Sequence, residues 1–206
     1  MDVKPGNKEQ IILEVAEKHF IEKGLTGTRT TEIASEAGVN HALLHYYFRT
    51  KENLFEKIFE QKVGQLLGSF SFALDDDTPF FDKLKNAIES HFEILRQTPK
   101  MPLFIIREIV LDKDRKDFIL KNMFPVGKEL YHKLNVVIRN EIRKGVIRPV
   151  KTFDLVLNIV SLNVFAFIAA QIFFDMDAEK EKETLRAFLD ERKKNNVELI
   201  INSLKP

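Results

Sequence analysis

Residues Thr30 to Leu54, with the sequence TTEIASEAGVNHALLHYYFRTKENL, predict two short helices joined by a tight turn and followed by the start of a third helix. In the first helix, Ile33, Ala34 and Ala37 fall on one apolar face. Gly38 follows at the position where a left-handed helix end favours a residue without a Cβ. The pattern therefore predicts a helix that stops abruptly and turns.

The second helix of this stretch is predicted at residues 41–48, after an N-cap at Asn40. Its apolar residues Leu44 and Phe48 are expected to face inward. The side chains expected to face outward are His41, His45 and Tyr46. A short helix, a glycine turn and a second helix with an outward polar face form a helix-turn-helix, whose second helix fits the major groove of DNA.

A longer set of residues carries a resemblance to a known family. These residues are Ile12, Ala16, Phe20 and Gly24, then Ile33-Ala34, Ala37-Gly38-Val39, Leu44, Tyr47-Phe48 and Lys51-Glu52-x-Leu54. With them, residues 8–58 resemble the tetracycline-repressor-like (TetR/AcrR) transcriptional regulators. The resemblance implies an all-α protein with an N-terminal three-helix DNA-binding module and a C-terminal helical domain for ligand binding and dimerisation.

The resemblance implies a helix-turn-helix domain at residues 1–50 and an effector-binding and dimerisation domain at residues 51–206, connected by a helix at about 50–67. It also implies a DNA-binding face. The residues expected at base edges are His41, Ala42, Leu43 and His45, and those expected mainly at the DNA backbone are Thr30, Thr31, Tyr46, Tyr47 and Lys51, with Asn40 beside them.

Several residues of this face also have other interpretations. The histidines could be ordinary surface residues, and Thr30 and Thr31 could cap the first helix of the motif, which is compatible with phosphate contact. Lys51 is poorly placed for the dipole at a helix start, which favours phosphate contact over a stabilising role. Leu43 and His45 depart from the family's usual small or hydroxyl residue and tyrosine. The resemblance therefore does not supply the operator sequence.

The charge of the chain does not indicate loose, charge-driven DNA binding. The whole chain has a net charge of +1, and the first 60 residues hold 8 Lys/Arg and 10 Asp/Glu. Specific docking requires only local phosphate contacts from cations, hydroxyls and helix N-termini. The composition is therefore compatible with a helix-turn-helix protein.

Other function classes are disfavoured by the residues present. The chain has no cysteine, which excludes disulfides, thiolate zinc sites and cysteine nucleophiles. It also has no Gly-rich phosphate loop and no acid–base pair of recognisable spacing, so we do not expect an enzyme or a cofactor. The HxxxH spacing of His41 and His45 is assigned to DNA, and no metal site is expected. The first ten residues lack a signal-peptide pattern, so we expect a cytoplasmic protein.

The rest of the chain predicts helices and no convincing strand. The predicted helices lie at about 7–24, 50–67, 79–97, 102–111, 114–144, 152–175 and 179–204, with a loop over 68–79 and a short turn at 145–150. The first should begin with a capping box formed by Asn7 and Gln10. Pro125 should kink or split the helix at 114–144 because it lacks a backbone donor.

Residues 155–174, LVLNIVSLNVFAFIAAQIFF, are 20 residues without a charge, which is the length of a membrane span. A span would have to place Asn158, Asn163 and Gln171 in hydrocarbon, and no basic flank sets its orientation. A helix that is apolar all round can instead be buried all round in a soluble dimer. We therefore expect no membrane partner.

The last predicted helix supports a homodimer, because its apolar stripe could pair with residues 152–175 and their symmetry mates in a four-helix bundle. The family resemblance implies the same interface. The residues expected there are Phe165, Leu185, Leu189, Arg192 and Leu199. The alternative, packing of the last helix within its own protomer only, would leave the apolar helix half exposed.

The family resemblance also implies an inducer cavity in the C-terminal domain, which is rich in phenylalanine. Its best lining candidates are polar residues on apolar faces, namely His91, Arg107, Tyr131 and Asn163. For each of them structural hydrogen bonding is the competing interpretation. We expect an apolar or amphipathic small-molecule effector. The alternative function is a ligand-independent helix-turn-helix DNA-binding or architectural protein.

Overall fold

The computed structural model of the chain describes residues 5–74, 78–111, 113, 116–117, 121, 124–175 and 178–206. Its α-helices are α1 (Pro5–Gly27), α2 (Thr30–Glu36), α3 (His41–Phe48), α4 (Lys51–Gly68), α5 (Phe80–Gln97), α6 (Met101–Leu111), α7 (Phe124–Arg143), α8 (Thr152–Phe173) and α9 (Lys182–Leu204). Two 3-10 helices, Ser69–Leu74 and Glu179–Glu181, precede α5 and α9. No β-strand occurs among these residues, and the predicted all-α fold is confirmed.

The start of α1 and the segment after α4 differ from the prediction. Helix α1 is described from Pro5 onward, so Asn7 already lies within the helix rather than at its predicted start. The sequence predicts that this helix ends at Gly24, and the backbone does leave helical geometry there, with φ +70° and ψ 177°. A short helical segment then continues to Gly27. Residues 69–74, predicted as loop, form a 3-10 helix because Phe70 is buried in the core and holds the chain against α5.

The predicted interruption at Pro125 falls partly outside the described residues. The described part of helix α7 runs from Phe124 to Arg143 and includes Pro125. Most of residues 112–123, including the residues next to α7, are outside the described part of the chain.

The N-terminal core is closed by one residue from the larger domain. Its buried side chains come from α1 to α4, and Phe104 of α6 joins them. The Phe104 ring lies 5.7 Å from Phe55 and 6.0 Å from Phe59 of α4, measured between centroids. Two further clusters fill the C-terminal domain, around α5, α7, α8 and α9. Helix α6 is therefore shared between the two cores.

Helix α8 is long and apolar enough to cross a membrane by length and composition. It packs against α5, α6, α7 and α9, and only 39% of its most apolar window is buried. Its neighbours α5 and α9 carry charged outer faces, which hydrocarbon would not accommodate. Helix α8 is therefore the central helix of a helical domain with one apolar face uncovered. The large apolar side chains exposed on it are Phe153, Leu157, Phe165, Ile172 and Phe173.

Candidate nucleic-acid interface

The turn between α2 and α3 has the geometry that the sequence predicts. Gly38 has φ +64°, and a Cβ built there would have no atom within 4 Å. Glycine is therefore favoured at this position for its backbone conformation rather than for space. The turn is closed by a hydrogen bond of 2.9 Å from Val39 N to Ala34 O. These features fix the angle at which α3 leaves α2.

Helix α3 is anchored on one side and exposed on the other. Leu44 and Phe48 are buried against α1, α2 and α4. The side chain of Asn40 caps the helix, because its Oδ1 accepts a hydrogen bond of 2.8 Å from Leu43 N. The predicted inward and outward faces and the predicted N-cap are confirmed. Since Asn40 is already engaged as a cap, its contact with DNA stays a prediction.

The side chains expected to contact DNA lie on the open side of the motif. The exposed ones are Thr31, Asn40, His41, Ala42, His45 and Tyr46, and the half-buried ones are Thr30, Leu43, Tyr47 and Lys51. Tyr46 is 79% exposed, and its ring lies edge-on to Tyr47 with the centroids 5.6 Å apart. The structure thus places all ten residues where they remain accessible, and none of them belongs to the buried core.

The two histidines of α3 lie near each other, with ring centroids 6.5 Å apart. Nε2 of His41 lies 3.0 Å from Oγ1 of Thr30, at the start of α2. The N-cap of α2 is Arg29, without a side-chain hydrogen bond, so Thr30 and Thr31 are not its caps. Arg29 is itself exposed beside Thr30 and was not among the residues predicted from the sequence. The sequence feature that could have identified Arg29 as a DNA-backbone contact is its position, as a cation directly before a predicted helix N-terminus.

Lys51 has a structural role that the sequence did not predict. Its Nζ donates hydrogen bonds of 2.8 Å to Leu25 O and 3.1 Å to Thr28 O, at the end of α1. The last carbonyls of a helix lack intrahelical partners and attract cations. The sequence-based interpretation that Lys51 does not stabilise the fold is therefore wrong. A phosphate contact of Lys51 stays a prediction.

Helix α2 is held to α1 by polar contacts at its outer edge. Nε2 of His19 in α1 is 2.8 Å from Oε2 of Glu36. Nζ of Lys23 is 2.7 Å from Oε2 of Glu32. The hydrogen bond from Lys23 lowers the pKa of Glu32. These acidic side chains lie on α2, whereas the eight residues of α3 include no carboxylate to repel DNA.

The four predicted ligand-binding residues do not line a common cavity. His91 and Asn163 meet in the buried core, but Arg107 lies beside α1 and Tyr131 is 39% exposed on α7. Asn163 Nδ2 donates to Ile88 O at 3.0 Å and lies 3.2 Å from His91 Nδ1. Only His91 and Asn163 therefore lie together, and Arg107 and Tyr131 lie elsewhere on the domain. Ligand contact by any of the four stays a prediction.

A continuous polar chain links three helices through this core. Arg192 donates to Asn196 at 2.9 Å, and Asn196 donates to Oδ1 of Asn163 at 2.9 Å. Asn163 in turn faces His91 of α5. Burial lowers the pKa of His91 to about 4, so its ring is neutral near pH 7. Because Asn163 offers N–H groups here, His91 accepts through an unprotonated Nδ1.

An apolar cavity lies between the 3-10 helix 69–74, α5, α7 and α8. Its volume is about 20 Å³, which is comparable to the space one water molecule needs. The residues lining it include Phe80, Leu84, Leu134, Ile138 and Ile159. Pockets for drug-sized ligands measure about 300–1,000 Å³. In this conformation the cavity is therefore closed to such a ligand.

Arg107 connects the two domains, and it also lines an open surface pocket of about 580 Å³ together with Leu103 and Gln171. Its Nη2 lies 3.4 Å from Phe20 O of α1, and its Nε lies 3.3 Å from Oε1 of the buried Glu108. Both side chains pack against the kink at Gly24, where an added Cβ would lie 2.8 Å from Arg107 Nη2. The end of α6 is thus fitted to the interruption of α1.

The predicted dimer residues fall into two groups. Leu189 is only 4% exposed and packs within its own protomer, so its assignment to an interface is wrong. Leu185 also packs on that cluster, and Arg192 is bonded to Asn196. Phe165 and Leu199 are 63% and 57% exposed and remain available to a partner.

Comparisons with known proteins agree with this architecture. Residues 12–58 match the profile of "Bacterial regulatory proteins, tetR family". The chain is 27% identical to the transcriptional repressor KstR2 of Mycolicibacterium smegmatis over 92 residues, which span 45% of each chain. It is 24% identical to the transcriptional regulator RutR of Escherichia coli K12 over 200 residues, 97% of this chain and 91% of RutR.

The same fold occurs in the crystal structure of the transcriptional regulator FadR from Bacillus subtilis in complex with stearoyl-CoA. The two structures align with a TM-score of 0.69 and 18% identity, over 95% of this chain and 98% of FadR. This likeness shows a shared fold across both domains. Together with the helix-turn-helix geometry, the matched profile identifies residues 12–58 as similar to the tetR family of bacterial regulatory proteins, and the alignment with FadR shows that the whole chain shares that protein's fold.

Proposed function

We propose that the protein is a dimeric transcriptional repressor that binds a pseudo-palindromic DNA operator and is released from it by a small molecule. The observation that carries the proposal is the open face of α3, where His41, Ala42, His45 and Tyr46 are exposed on a helix whose other side is anchored in the core. Imidazole and phenol groups can hydrogen-bond base edges and phosphates.

The face divides into base-reading and backbone-binding parts. His41, Ala42, Leu43 and His45 lie along α3, which would enter the major groove. The groups assigned to the DNA backbone flank them, namely Thr30, Thr31, Tyr46, Tyr47 and Lys51, and we add Arg29. Backbone contacts fix the register of a protein on DNA, and base contacts supply its specificity.

The uncovered face of α8 supports dimerisation. Leu157, Phe165 and Ile172 are exposed on this face and form an apolar stripe at helical spacing. Leu199 of the adjacent α9 is exposed as well. A second copy of this surface would cover the stripe and place two α3 helices on one DNA duplex, where half-sites lie about 34–36 Å apart.

The effector would occupy the apolar core of the C-terminal domain. The closed cavity between α5, α7 and α8 is lined by aliphatic and phenylalanine side chains, which suit an apolar or amphipathic molecule. Because its present volume is about 20 Å³, binding requires these helices to separate. The structure would then correspond to the ligand-free, DNA-competent state. Stearoyl-CoA, which is bound in the FadR crystal structure, is a suitable first probe.

The route from that core to DNA runs through α6 and α4. Phe104 of α6 packs on Phe55 and Phe59 of α4, and Arg107 bonds to Phe20 O of α1. A displacement of α6 would therefore shift the DNA-binding domain as a unit. A movement of a few ångströms between the two copies prevents simultaneous docking on both half-sites.

Release of the protein from DNA by a ligand can be tested through the thermodynamic linkage between ligand binding and operator binding. A ligand that binds the DNA-incompetent state more tightly must itself be bound more weakly when operator DNA is present, by the same factor. Stearoyl-CoA and shorter acyl-CoA molecules would be titrated calorimetrically with and without operator. We expect a lower affinity in the presence of operator, and equal affinities would contradict ligand-controlled release.

The reading face is tested by histidine variants on operator DNA. His41→Ala and His45→Ala should each relax discrimination at one base pair by roughly 5- to 150-fold, the size of one base contact. His132→Ala, which removes an exposed histidine on α7, is the matched control and should have no effect. Unchanged base preference in both α3 variants would contradict the assignment.

A second candidate is a ligand-independent DNA-binding or architectural protein. The closed core favours it, since the apolar cavity between α5, α7 and α8 is far smaller than a ligand. The two candidates differ in their response to small molecules. In a thermal-shift screen against cell extract fractions, the melting temperature should rise with some fraction only if the protein is controlled by an effector.

We also infer a cytoplasmic location, no catalytic role, and a domain boundary near residue 50. The chain has no cysteine, and its matched relatives are transcriptional regulators. A regulator that binds chromosomal DNA must be in the same compartment as the chromosome, which in bacteria is the cytoplasm. Cell fractionation tests the location, and the protein should remain with the soluble fraction rather than the membranes.

A further inference from the structure

We propose that Thr30 is a positioning residue for His41 and thereby sets base specificity, rather than acting mainly as a phosphate contact. The inference rests on the proposed function, because it assigns the side chain that orients one of the base-reading residues. It is carried by one contact across the helix-turn-helix, the approach of Thr30 Oγ1 to His41 Nε2 at 3.0 Å.

The two residues occupy equivalent places on their helices. Thr30 is the first residue of α2 and His41 is the first residue of α3, so their side chains meet where both helices begin. The backbone of each is fixed independently of this contact. Arg29 is the N-cap of α2, and Asn40 caps α3 through Leu43 N. The Thr30 hydroxyl is therefore not needed to cap either helix, and its bond acts on the orientation of the imidazole.

The bond decides which nitrogen of His41 faces DNA. A neutral imidazole has one N–H donor and one acceptor nitrogen, and a hydroxyl can complement either. With Nε2 engaged by Thr30, the nitrogen left for a base edge is Nδ1. The ring is also restrained from rotating about its side-chain torsions. An exposed histidine loses this freedom before DNA arrives, which lowers the entropic cost of forming a base contact.

His45 offers an internal comparison. It lies one turn further along α3 with its ring 6.5 Å from that of His41, measured between centroids. Both histidines are exposed on the same face. Removal of the Thr30 hydroxyl should therefore affect discrimination at the base pair read by His41 and leave the base pair read by His45 unchanged.

The test is a double-mutant cycle on operator DNA and its single-base variants. Thr30→Val removes the hydroxyl at nearly constant shape, and it should reduce discrimination at the His41 base pair by about 3- to 10-fold, the effect of one hydrogen bond. Combined with His41→Ala, it should add nothing at that position, because the two residues act as one unit. Thr30→Ser should restore discrimination.

Thr31→Val is the matched control, since it changes the adjacent exposed threonine in the same way. Because Thr31 is assigned to the DNA backbone, this change should weaken binding to all sequences equally and leave base discrimination unchanged. A nitrogen-detected NMR spectrum of the free protein supplies a readout without DNA, in which Thr30→Val should shift the ring nitrogens of His41 and not those of His45. Melting temperatures would confirm that each variant is folded.

Two results would overturn the inference alone, and a third would overturn it together with the proposed base reading. If Thr30→Val weakens binding to every sequence equally and its effect multiplies with that of His41→Ala, Thr30 is a phosphate contact. If His41→Ala changes discrimination but Thr30→Val changes neither discrimination nor the His41 nitrogen shifts, the positioning role is absent. If His41→Ala itself leaves discrimination unchanged, base reading by His41 and the inference fail together.

Discussion

Asn163 of α8 and His91 of α5 form a hydrogen bond of 3.2 Å between Nδ2 and Nδ1 in the centre of the C-terminal domain. The two residues are 0% and 2% exposed. Asn163 also bonds to Ile88 O and to Asn196, so its amide is satisfied on both sides. A buried polar network of this kind fixes the relative register of the helices that contribute to it.

Replacement of Asn163 should be costly for stability. Asn163→Ala removes the partner of His91 and of Asn196 and leaves their polar atoms buried, which we expect to lower the free energy of unfolding by about 2–4 kcal/mol. Asn158→Ala, an exposed asparagine on the same helix, is the matched control and should change it by less than about 0.5 kcal/mol. Urea denaturation measures both, and equal effects would contradict a role for the network.

The buried His91 should make stability depend on pH. Its pKa is lowered by burial from 6.5 to about 4, so between these values the folded protein binds fewer protons than the unfolded chain. Stability should therefore fall as pH decreases from 7 towards 4, by about 3 kcal/mol from this residue. His91→Gln should flatten this part of the profile. Parallel profiles for the two proteins would show that His91 is not buried as a neutral group.

The kink of α1 should tolerate only glycine. Gly24→Ala places a Cβ 2.8 Å from Arg107 Nη2 in a backbone with φ +70°, and we expect a loss of roughly 2 kcal/mol or more. Gly64→Ala is the matched control, because Gly64 lies within α4 with no atom near its Cβ position. This change should stabilise the protein by about 0.5–1 kcal/mol. Stabilisation by both substitutions would contradict the described fit of α6 to α1.

Two aspartate substitutions should separate folding from dimerisation. Phe165→Asp changes an exposed side chain, so the protomer should keep its helical circular dichroism but sediment as a monomer at micromolar concentration. Leu189→Asp places an unpaired charge in the core beside Phe92 and Leu95, and it should unfold the domain. A wild-type monomer, or a Phe165→Asp variant that remains dimeric, would contradict the proposed interface.

Local sequence signals predict the DNA-binding module well. Asn40 and Gly38 specify a cap and a turn through their own backbone preferences, and the structure confirms both. The division of α3 into inward and outward faces also follows from residues only four positions apart. Such features depend on neighbours in the sequence, which is why the motif can be recognised from the sequence alone.

Long-range contacts could not be predicted in the same way. Lys51 caps a helix whose end lies 23–26 residues earlier, and Arg107 bonds to a carbonyl 87 residues away. The assignment of Leu189 to the dimer requires α9 to present its apolar stripe to a partner. In the structure that stripe covers α5 and α8 of its own protomer, and hydropathy alone does not distinguish the two arrangements.

Two copies of α3 are proposed to read DNA together, and selection of binding sites from random duplex DNA tests this most directly. Purified wild-type protein would be incubated with the random pool at near-physiological salt, and bound sequences would be determined over successive rounds. We expect enrichment of two inverted half-sites whose centres lie about 34–36 Å apart or a multiple of this distance. No enriched sequence, or a single half-site without a symmetry mate, would contradict the claim.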